Sequence, residues 1–300
     1  MKAFPIPVVA LAGAFSGPGS QPSEDDDFGY FPLPSGMDRF DVPRLSGRAD
    51  TAATLAAIDA LQAVLDGLRG WTFGVGANPV FDFSALSAAA LGVVNEALGQ
   101  GEVSAIVRAT PASPALHIQE TVFAGLWRVQ CVAADGRVLT DTLEAGAIPA
   151  AVAGAAAAAP VADPALPALG DEVMNAPAVA HELFAAARSH RPGATAHVVN
   201  LSLLPMTPAD LAWLGAALGD GAVTVLSRGY GNCRITACAV PATWRVQYFN
   251  NDDKLILDTV EVTDMPEVAL AAAEDFADTL LRLDEWLATL RAGVEDDIGV

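Results

Sequence analysis

The chain has 300 residues, of which 52% are hydrophobic, and a formal net charge of −20. A chain of this length and composition can bury the core of one large or two ordinary domains, which excludes disorder over most of it. Only 16 Lys and Arg stand against 36 Asp and Glu, so we expect no nucleic-acid-binding surface, and the acidity either keeps the protein soluble or attracts basic partners.

The first 47 residues are rich in Pro and Gly and lack the periodicity of a helix or a strand. They contain an acidic run at residues 24–27 and scattered aromatic side chains. We expect this segment to be extended, or to wrap along the folded part, rather than to form a core of its own. Residues 8–15 are apolar, but Pro5, Pro7 and the single basic residue before them argue against a signal peptide.

Two stretches of the chain repeat each other. The tetrapeptide Trp-Arg-Val-Gln stands at residues 127–130 and again at residues 244–247, an offset of 117 (244 − 127). Further identities keep this offset, and upstream a Leu-Gly-x-Gly segment recurs at an offset of 120 (218 − 98). The pairs are Asp141 with Asp258, Glu144 with Glu261, Pro149 with Pro266, and residues 98–101 with 218–221. We therefore predict an internal duplication in which both tryptophans face inwards and alternate with Arg and Gln on a half-buried strand.

In chain order, each copy is predicted to contain a helix, a strand, a helix, an antiparallel meander and a helix. Copy one begins with an amphipathic helix over residues 50–69 that stops at Gly70. In copy two, Thr207, Pro208 and Asp210 are the start signals of a helix. The predicted strands include residues 80–86 in copy one and residues 198–204, 223–228, 233–240, 243–250 and 255–262 in copy two.

A long helix is predicted after Asp264. Its apolar residues, spaced alternately by four and three up to Leu290, are expected to cover one face of the sheet. The Ala- and Pro-rich residues between the copies are predicted to be a linker, or else their first half is a degenerate equivalent of this helix. The predicted fold class is α+β. The predicted divisions are residues 1–47 (an extended N-terminal segment), 48–150 (first repeat), 151–170 (linker) and 171–300 (second repeat).

Residue types that catalyse reactions or bind metals form no recognisable set. The histidines at positions 117, 181, 190 and 197 lack metal-ligand spacing, and three scattered cysteines indicate a reducing cytoplasm rather than a disulfide framework. No phosphate-binding loop, nucleophile elbow or zinc-protease motif is present. The longest uncharged run, residues 145–162, is too rich in Ala and Gly and too interrupted by Pro to span a bilayer. We therefore predict no catalytic residue, no metal and no cofactor, and a protein that is not an enzyme.

The candidate site is the loop between two strands of copy two. Its glycines permit a tight turn or the close approach of another chain, and its Arg and Tyr can be exposed. The equivalent loop of copy one carries Pro111 and Pro114 and lacks a thiol. This asymmetry favours a partner-binding loop, while the alternative is a tight hairpin with an ordinary core cysteine. The candidate residues are Arg228, Gly229, Tyr230, Gly231, Asn232 and Cys233.

Several blocks of copy two resemble a known family. They read "SRGYGNCRI", "TWRVQYFN", "LILDTVEV" and "MPEVALAAAEDFADTLLRLDEWL", and the N-terminal blocks "IPVVAL", "GPGSQP" and "FPLPSGM" extend the likeness over nearly the whole chain. Together they resemble the HupH/HyaF/HoxQ family, which are accessory proteins of membrane-bound uptake nickel–iron hydrogenases. Residues 12–16 depart from the family's pattern as an insertion.

The resemblance implies a cytoplasmic assembly factor, acting as a chaperone of the small, iron–sulfur subunit before twin-arginine export and alongside a thioredoxin-like partner. Our first hypothesis is that the acidic surface holds the immature small subunit and its basic signal peptide. A second is an iron or iron–sulfur handling protein in which Cys233 is a transient ligand. A third, an enzyme unrelated to hydrogenase, conflicts with the missing catalytic set. No membrane contact is expected.

Overall fold

The computed structural model describes residues 50–158, 166–228 and 231–298. The predicted N-terminal segment, residues 1–47, therefore lies outside the described residues. Below, the first half means residues 50–158 and the second half means the described residues from 166 onwards.

The first half contains three helices and five strands. They are α1 (Thr51–Arg69), β1 (Val80–Asp82), α2 (Ala88–Leu98), β2 (Val103–Val107), β3 (Ala115–Glu120), β4 (Leu126–Val132), β5 (Val138–Ala145) and α3 (Ala150–Ala157).

The second half contains three helices, five strands and two short 3-10 turns. They are α4 (Ala176–Ser189), β6 (His197–Asn200), a turn (Leu201–Leu203), α5 (Pro208–Leu218), β7 (Asp220–Ser227), β8 (Asn232–Cys238), β9 (Thr243–Phe249), β10 (Leu255–Val262), a turn (Glu267–Ala269) and α6 (Ala273–Ile298). Helices on a wholly antiparallel sheet confirm the α+β class.

All ten strands form one sheet in the order β1-β5-β4-β3-β2-β7-β8-β9-β10-β6. The two halves meet where β2 pairs antiparallel with β7, from Val103 opposite Ser227 to Val107 opposite Val223. Beyond this ladder, Arg108 N donates to Ala222 O at 2.8 Å, and Arg228 N donates to Glu102 O at 3.1 Å. The meander of each half therefore runs outwards from this central pair, and β1 and β6 are the two edges.

The tryptophans of the repeated tetrapeptide lie on β4 and β9, each third from its edge of the sheet. Both are buried, as predicted, and their ring nitrogens donate to main-chain oxygens: Trp127 Nε1 to Gly146 O at 2.8 Å and Trp244 Nε1 to Thr263 O at 3.2 Å. The neighbouring arginine does not lie on a solvated face. Arg128 is buried because helices cover that face of the sheet as well.

Arg128 is held in the helix-covered layer by a carboxylate on the next strand. Its Nη2 donates to Asp141 Oδ2 at 2.6 Å, its Nε donates to Asp141 Oδ1, and its Nη1 donates to Asn95 Oδ1 of α2 at 2.9 Å. Arg245 and Asp258 make the corresponding two-bond pair in the second half.

Three clusters of buried residues make the core. One lies between the sheet and α1, α2 and α6, and another lies between the sheet and α4 and α5. The third is on the opposite face, where α3 and the Glu267–Ala269 turn cover the centre of the sheet. The first part of the predicted linker is thus helix α3, whose Val152 and Ala156 pack into this third cluster.

Helix α6 does not lie over its own half. Its apolar residues Phe276, Leu283, Leu287 and Leu290 pack with α1 and the first half, because α4 and α5 already occupy the corresponding face of the second half. Arg69 Nη2 bonds Asp284 Oδ1 at 3.1 Å along this contact. α1 is long and apolar enough to cross a membrane, but its inner face, from Ala53 to Leu68, is buried against α2 and α6, as in the core helix of a globular protein.

Candidate functional site

The candidate loop joins β7 to β8 at the end of the sheet. Ser227 is paired with Cys233, so the hairpin turns between them, and its Gly229 and Tyr230 lie outside the described residues. Gly231 has φ = +96°, a conformation that side chains with a Cβ rarely adopt. At this position a glycine is therefore required by the backbone of the hairpin.

The polar residues of the loop face solvent beside two other segments. Asn232 Nδ2 lies 3.5 Å from Asp253 Oδ1, in the turn between β9 and β10. Arg228 is exposed, and its main chain bonds Glu102 of the first half. The described part of the candidate site therefore gathers a basic side chain, an amide and acidic neighbours at one accessible end of the sheet.

Cys233 belongs to the core and not to this exposed surface. Its side chain is buried with Ile235 and Val246 on the face covered by α3, and it hydrogen-bonds Tyr248 on the next strand. Burial raises the pKa of the Cys233 thiol to about 11, against the lowering effect of Tyr248. Burial, with the neighbouring Cys233, likewise raises the pKa of Tyr248 to about 12. Both groups hold their protons at neutral pH, and a protonated thiol is a poor nucleophile and a poor metal ligand.

The first half places ordinary residues at the same positions. Cys233 is paired with Tyr248 in the second half, and Leu116 is paired with Cys131 at the equivalent place in the first half. A leucine therefore takes the position of the Cys233 thiol. Glu261, two strands from Cys233, corresponds to Glu144, whose Oε1 accepts from Asn78 Nδ2 at 2.8 Å and from Ala150 N at 2.7 Å. Glu261 Oε1 accepts from Thr259 Oγ1 at 3.2 Å, and burial raises its pKa. The Cys233 thiol and the Tyr248 phenol, both protonated, lie near the Glu261 carboxyl, and the first half lacks this group of polar side chains.

Histidines meet carboxylates in a groove between α4 and β6. His190 Nε2 lies 2.8 Å from Asp264 Oδ1, and His197 Nε2 lies 2.9 Å from Glu182 Oε1. Within the ranges that the structure describes, no three His, Cys, Asp or Glu side chains converge as a metal site would require. These contacts connect segments of the second half: His190 joins the end of α4 to the loop after β10, and His197 joins the edge strand β6 to α4.

An acidic cluster beside the candidate loop is not recognisable in the sequence, because its members are far apart in the chain. Glu120 at the end of β3 faces Glu102 and Asp275, and its Oε1 accepts weakly from Gly125 N at 3.4 Å. Burial, aided by these two carboxylates, raises the Glu120 pKa from 4.5 to about 7. The equivalent position in the second half is Ala237, so the sheet itself does not need a carboxylate there.

We expect Glu120→Gln to raise the free energy of unfolding at pH 8 by about 2 kcal/mol and to leave it unchanged at pH 4. A carboxyl whose pKa is raised by folding binds its proton more tightly in the folded state, so stability falls as pH rises from 4.5 towards about 7. Gln keeps the shape without the charge. Urea unfolding at the two pH values measures the effect, with the exposed Asp59→Asn as the control. An equal change at both pH values would contradict the assignment.

Comparison with known proteins identifies the family. The family described as HupH hydrogenase expression protein, C-terminal conserved region, matches residues 77–165 and 173–290, one segment in each half. "Hydrogenase expression/formation protein HupH" of Rhodobacter capsulatus is 47% identical over 92% of this chain and 96% of its own length.

Two further relatives are similar over almost their full length. "Hydrogenase expression/formation protein HoxQ" of Cupriavidus necator is 44% identical, over 96% of this chain and 98% of its own length. "Hydrogenase-1 operon protein HyaF" of Escherichia coli is 34% identical, over 91% and 95%. A solved structure of the hydrogenase expression protein HupH from Thiobacillus denitrificans is 29% identical, over 38% of this chain and 96% of that chain, with a TM-score of 0.37. The family match and these full-length similarities place the chain in the HupH family of hydrogenase expression proteins.

Proposed function

We propose that this chain is a cytoplasmic accessory protein in the maturation of a membrane-bound uptake nickel–iron hydrogenase, and that it is a chaperone of the immature small, iron–sulfur subunit before twin-arginine export. The observation that carries the proposal is family membership over almost the whole chain, with relatives named for hydrogenase expression and formation. A thioredoxin-like maturation protein is the second partner we propose.

The surface chemistry supports a binding role. On α6, Glu274, Asp278, Leu281 and Glu285 follow one another at helical spacing on an exposed face, so one side of this helix is acidic. A chain with a net charge of −20 attracts a basic partner segment, and such attraction speeds encounter and weakens with salt. The basic signal peptide of the immature subunit has the complementary charge.

We also propose that the two halves arose by internal duplication. The order of strands from each edge to the centre is the same, and the Trp, Arg and Asp contacts described above recur at matching positions. After duplication one copy was free to specialise. The glycine-containing loop and the polar cluster of Cys233 are found in the second half alone among the described residues.

The alternative, that Cys233 binds iron or a cluster, is less well supported. Its thiol is buried, its pKa is raised to about 11, and a leucine occupies the equivalent place. We therefore assign Cys233 to anchoring the loop strand in the core. Gly231 and Asn232, with Arg228, Gly229 and Tyr230, form the proposed partner-binding loop.

Purification from a hydrogenase-producing host under anaerobic conditions tests the proposed function. The tagged chain should retain the small subunit with its signal peptide at low salt and release it as salt is raised. The mature, exported form should not be retained. Retention of the large subunit in its place, or stoichiometric iron without any subunit, would overturn the proposal.

For the loop, we expect Tyr230→Ala and Asn232→Ala to reduce maturation of the small subunit. The melting temperature of Asn232→Ala should stay within about 2 °C of the wild type, because Asn232 is exposed and exposed substitutions cost little stability. Cys233→Leu copies the first half and should preserve both maturation and stability. Pro111→Ala, in the equivalent loop of the first half, is the matched control. Lost maturation in Cys233→Leu with an unchanged melting temperature would instead show that the thiol itself is needed.

A further inference from the structure

Among the described residues, no strand pairs with the outer side of the edge strand β6. Asp258 N bonds Ser202 Oγ on the β6 side, whereas Thr263 N bonds Ala242 O on the β9 side. The main-chain groups of successive residues in a strand point alternately to the two sides. Val260 and Val262, like Asp258, therefore direct their N–H and C=O groups towards β6 and exchange hydrogen bonds with Val199 and His197. The N–H and C=O groups of Val198 and the N–H group of Asn200 are therefore directed away from the sheet, while the Asn200 C=O belongs to the turn that follows.

Among the described residues, short length is the one protection against pairing that this edge has, since β6 contains four residues. Natural edge strands are commonly blocked by Lys, by Pro or by a bulge within the strand. β6 reads His-Val-Val-Asn and pairs with β10 over four consecutive residues without a shift in register. The opposite edge, β1, is one residue shorter and follows directly on Pro79.

Large apolar side chains surround the free edge of β6. Val198 is 52% exposed, Leu203 is 80% exposed and Ile256, at a bulge in β10, is 56% exposed. Ser202 Oγ accepts from Asp258 N in the second half, and Ser84 Oγ accepts from Asp141 N in the first half. The two serines are therefore equivalent, and the residues that follow them, Leu203 and Ala85, occupy equivalent positions. An exposed leucine thus replaces an alanine in the half that also carries the specialised loop.

Charge decides which chain can pair there. The carboxylates of Glu182 and Glu261 lie next to β6, the first bonded to His197 and the second opposite Val198. A second copy of this chain would bring the same carboxylates and a net charge of −20 to the contact. Like charges at an interface are unfavourable, whereas a basic segment would be attracted.

We propose that β6 binds an extended segment of another polypeptide, one that alternates apolar and basic residues, as an eleventh strand of the sheet. Main-chain hydrogen bonds to Val198 and to the Asn200 N–H supply affinity, while Leu203 and Ile256 contact its apolar side chains. This inference rests on the proposed function, since an immature subunit offers extended segments.

The β6 edge and the partner-binding loop can serve one partner. The β7–β8 hairpin and β6 are separated by three strand spacings, roughly 14 Å, and about five extended residues span that distance. Leu203 and Ile256 lie at the same end of the sheet as the partner-binding loop. Asn232 of the loop is close to the β9–β10 turn, and Ile256 is the second residue of β10 after that turn.

A fluorescein-labelled peptide of twelve alternating Val and Lys residues tests the proposal in anisotropy titrations with the full chain. Val198→Pro removes one outward N–H without touching the β10 ladder and should weaken binding about tenfold. Leu203→Ala, on an exposed side chain, should weaken it about threefold with no change in melting temperature. The matched control is Val80→Pro on the opposite edge strand, β1. Ala145 N donates to Pro79 O and Phe83 N donates to Asp141 O, so residues 79 and 83 face β5. The main-chain groups of Val80 therefore point away from the sheet, as those of Val198 do. Binding to Val80→Pro should stay within about twofold of the wild type.

Three results would overturn the inference. They are equal binding by the wild type, Val198→Pro and Leu203→Ala; no binding up to about 1 mM peptide; and a dimer in sedimentation that Val198→Pro dissociates, which would assign the edge to a second copy. A peptide with Glu in place of Lys should not bind. Failure of the small subunit to co-purify would remove the proposed function and leave these peptide results intact, so the two failures are distinguishable.

Discussion

Asp141→Leu is expected to lower the free energy of unfolding by about 4 kcal/mol, which corresponds to a melting temperature roughly 10 °C lower. The carboxylate is buried and holds Arg128 through two hydrogen bonds, and it also accepts from Gln130. Without it, the Arg128 guanidinium remains buried under α2 with Asn95 Oδ1 as its remaining side-chain acceptor. An uncompensated buried charge costs far more than the pair itself contributes.

Two matched variants separate charge from packing. Arg128→Met with Asp141→Leu should recover most of the lost stability, because a pair of well-packed apolar residues can replace a buried ion pair. Asp258→Leu should cost less than Asp141→Leu, since the Arg245 side chain is 30% exposed and that of Arg128 is 10% exposed. Chemical unfolding of the wild type, these three variants and the single variant Arg128→Met measures these differences. Additive single effects in the double variant would contradict the explanation.

Asp210→Ala is expected to cost about 3 kcal/mol, because it leaves four main-chain donors, one buried and three partly buried, without their acceptor. Asp210 Oδ1 accepts from Met174 N, Asn175 N and Ala176 N, and Oδ2 accepts from Thr207 N. One carboxylate therefore closes the start of α5 and also fixes the start of α4. Burial raises its pKa, but the four N–H groups outweigh that effect and lower the pKa to about 2.

The pH dependence gives this prediction a second measurement. A carboxyl whose pKa is lowered by folding contributes stability above its unfolded value of 3.8, and that contribution is lost as pH falls towards about 2. In the Asp210→Ala protein, the free energy of unfolding should therefore fall less than in the wild type as pH is lowered from 3.8 towards about 2. Thr207→Ala, which removes only the N-cap hydroxyl of the same helix, should cost about 1 kcal/mol. Equal losses in both variants would show that Asp210 is merely part of the cap.

Local signals in the sequence predicted the elements well. The helix start predicted from Thr207 and Asp210 was confirmed as a capping box, because a few neighbouring residues determine it. Strand ends were less accurate. The strand predicted at residues 198–204 ends at Asn200, whose side chain accepts from Ser202 N and turns Leu201 into the core.

Features that depend on the other half could not be predicted. Alternation placed Arg128 on a solvated face, but only the packing of α2 shows that this face is covered. The apolar stripe of α6 is visible in the sequence, but its spacing does not show whether the helix packs against the first half or the second. The loop residues were proposed from a comparison of the two repeated stretches of sequence, and they stay a prediction. The acidic cluster of Glu120 and the edge at Val198 are visible only in the three-dimensional arrangement.

The position of α6 sets the order in which this protein can be completed during synthesis. The core around α1 is closed by Phe276, Leu283 and Leu287, which are translated more than 200 residues after the helix they cover. Until then the emerging chain exposes apolar surface on α1 and α2 at the ribosome, where general chaperones bind such surface. A prematurely terminated chain would keep that surface exposed, so incomplete molecules would be directed to proteolysis.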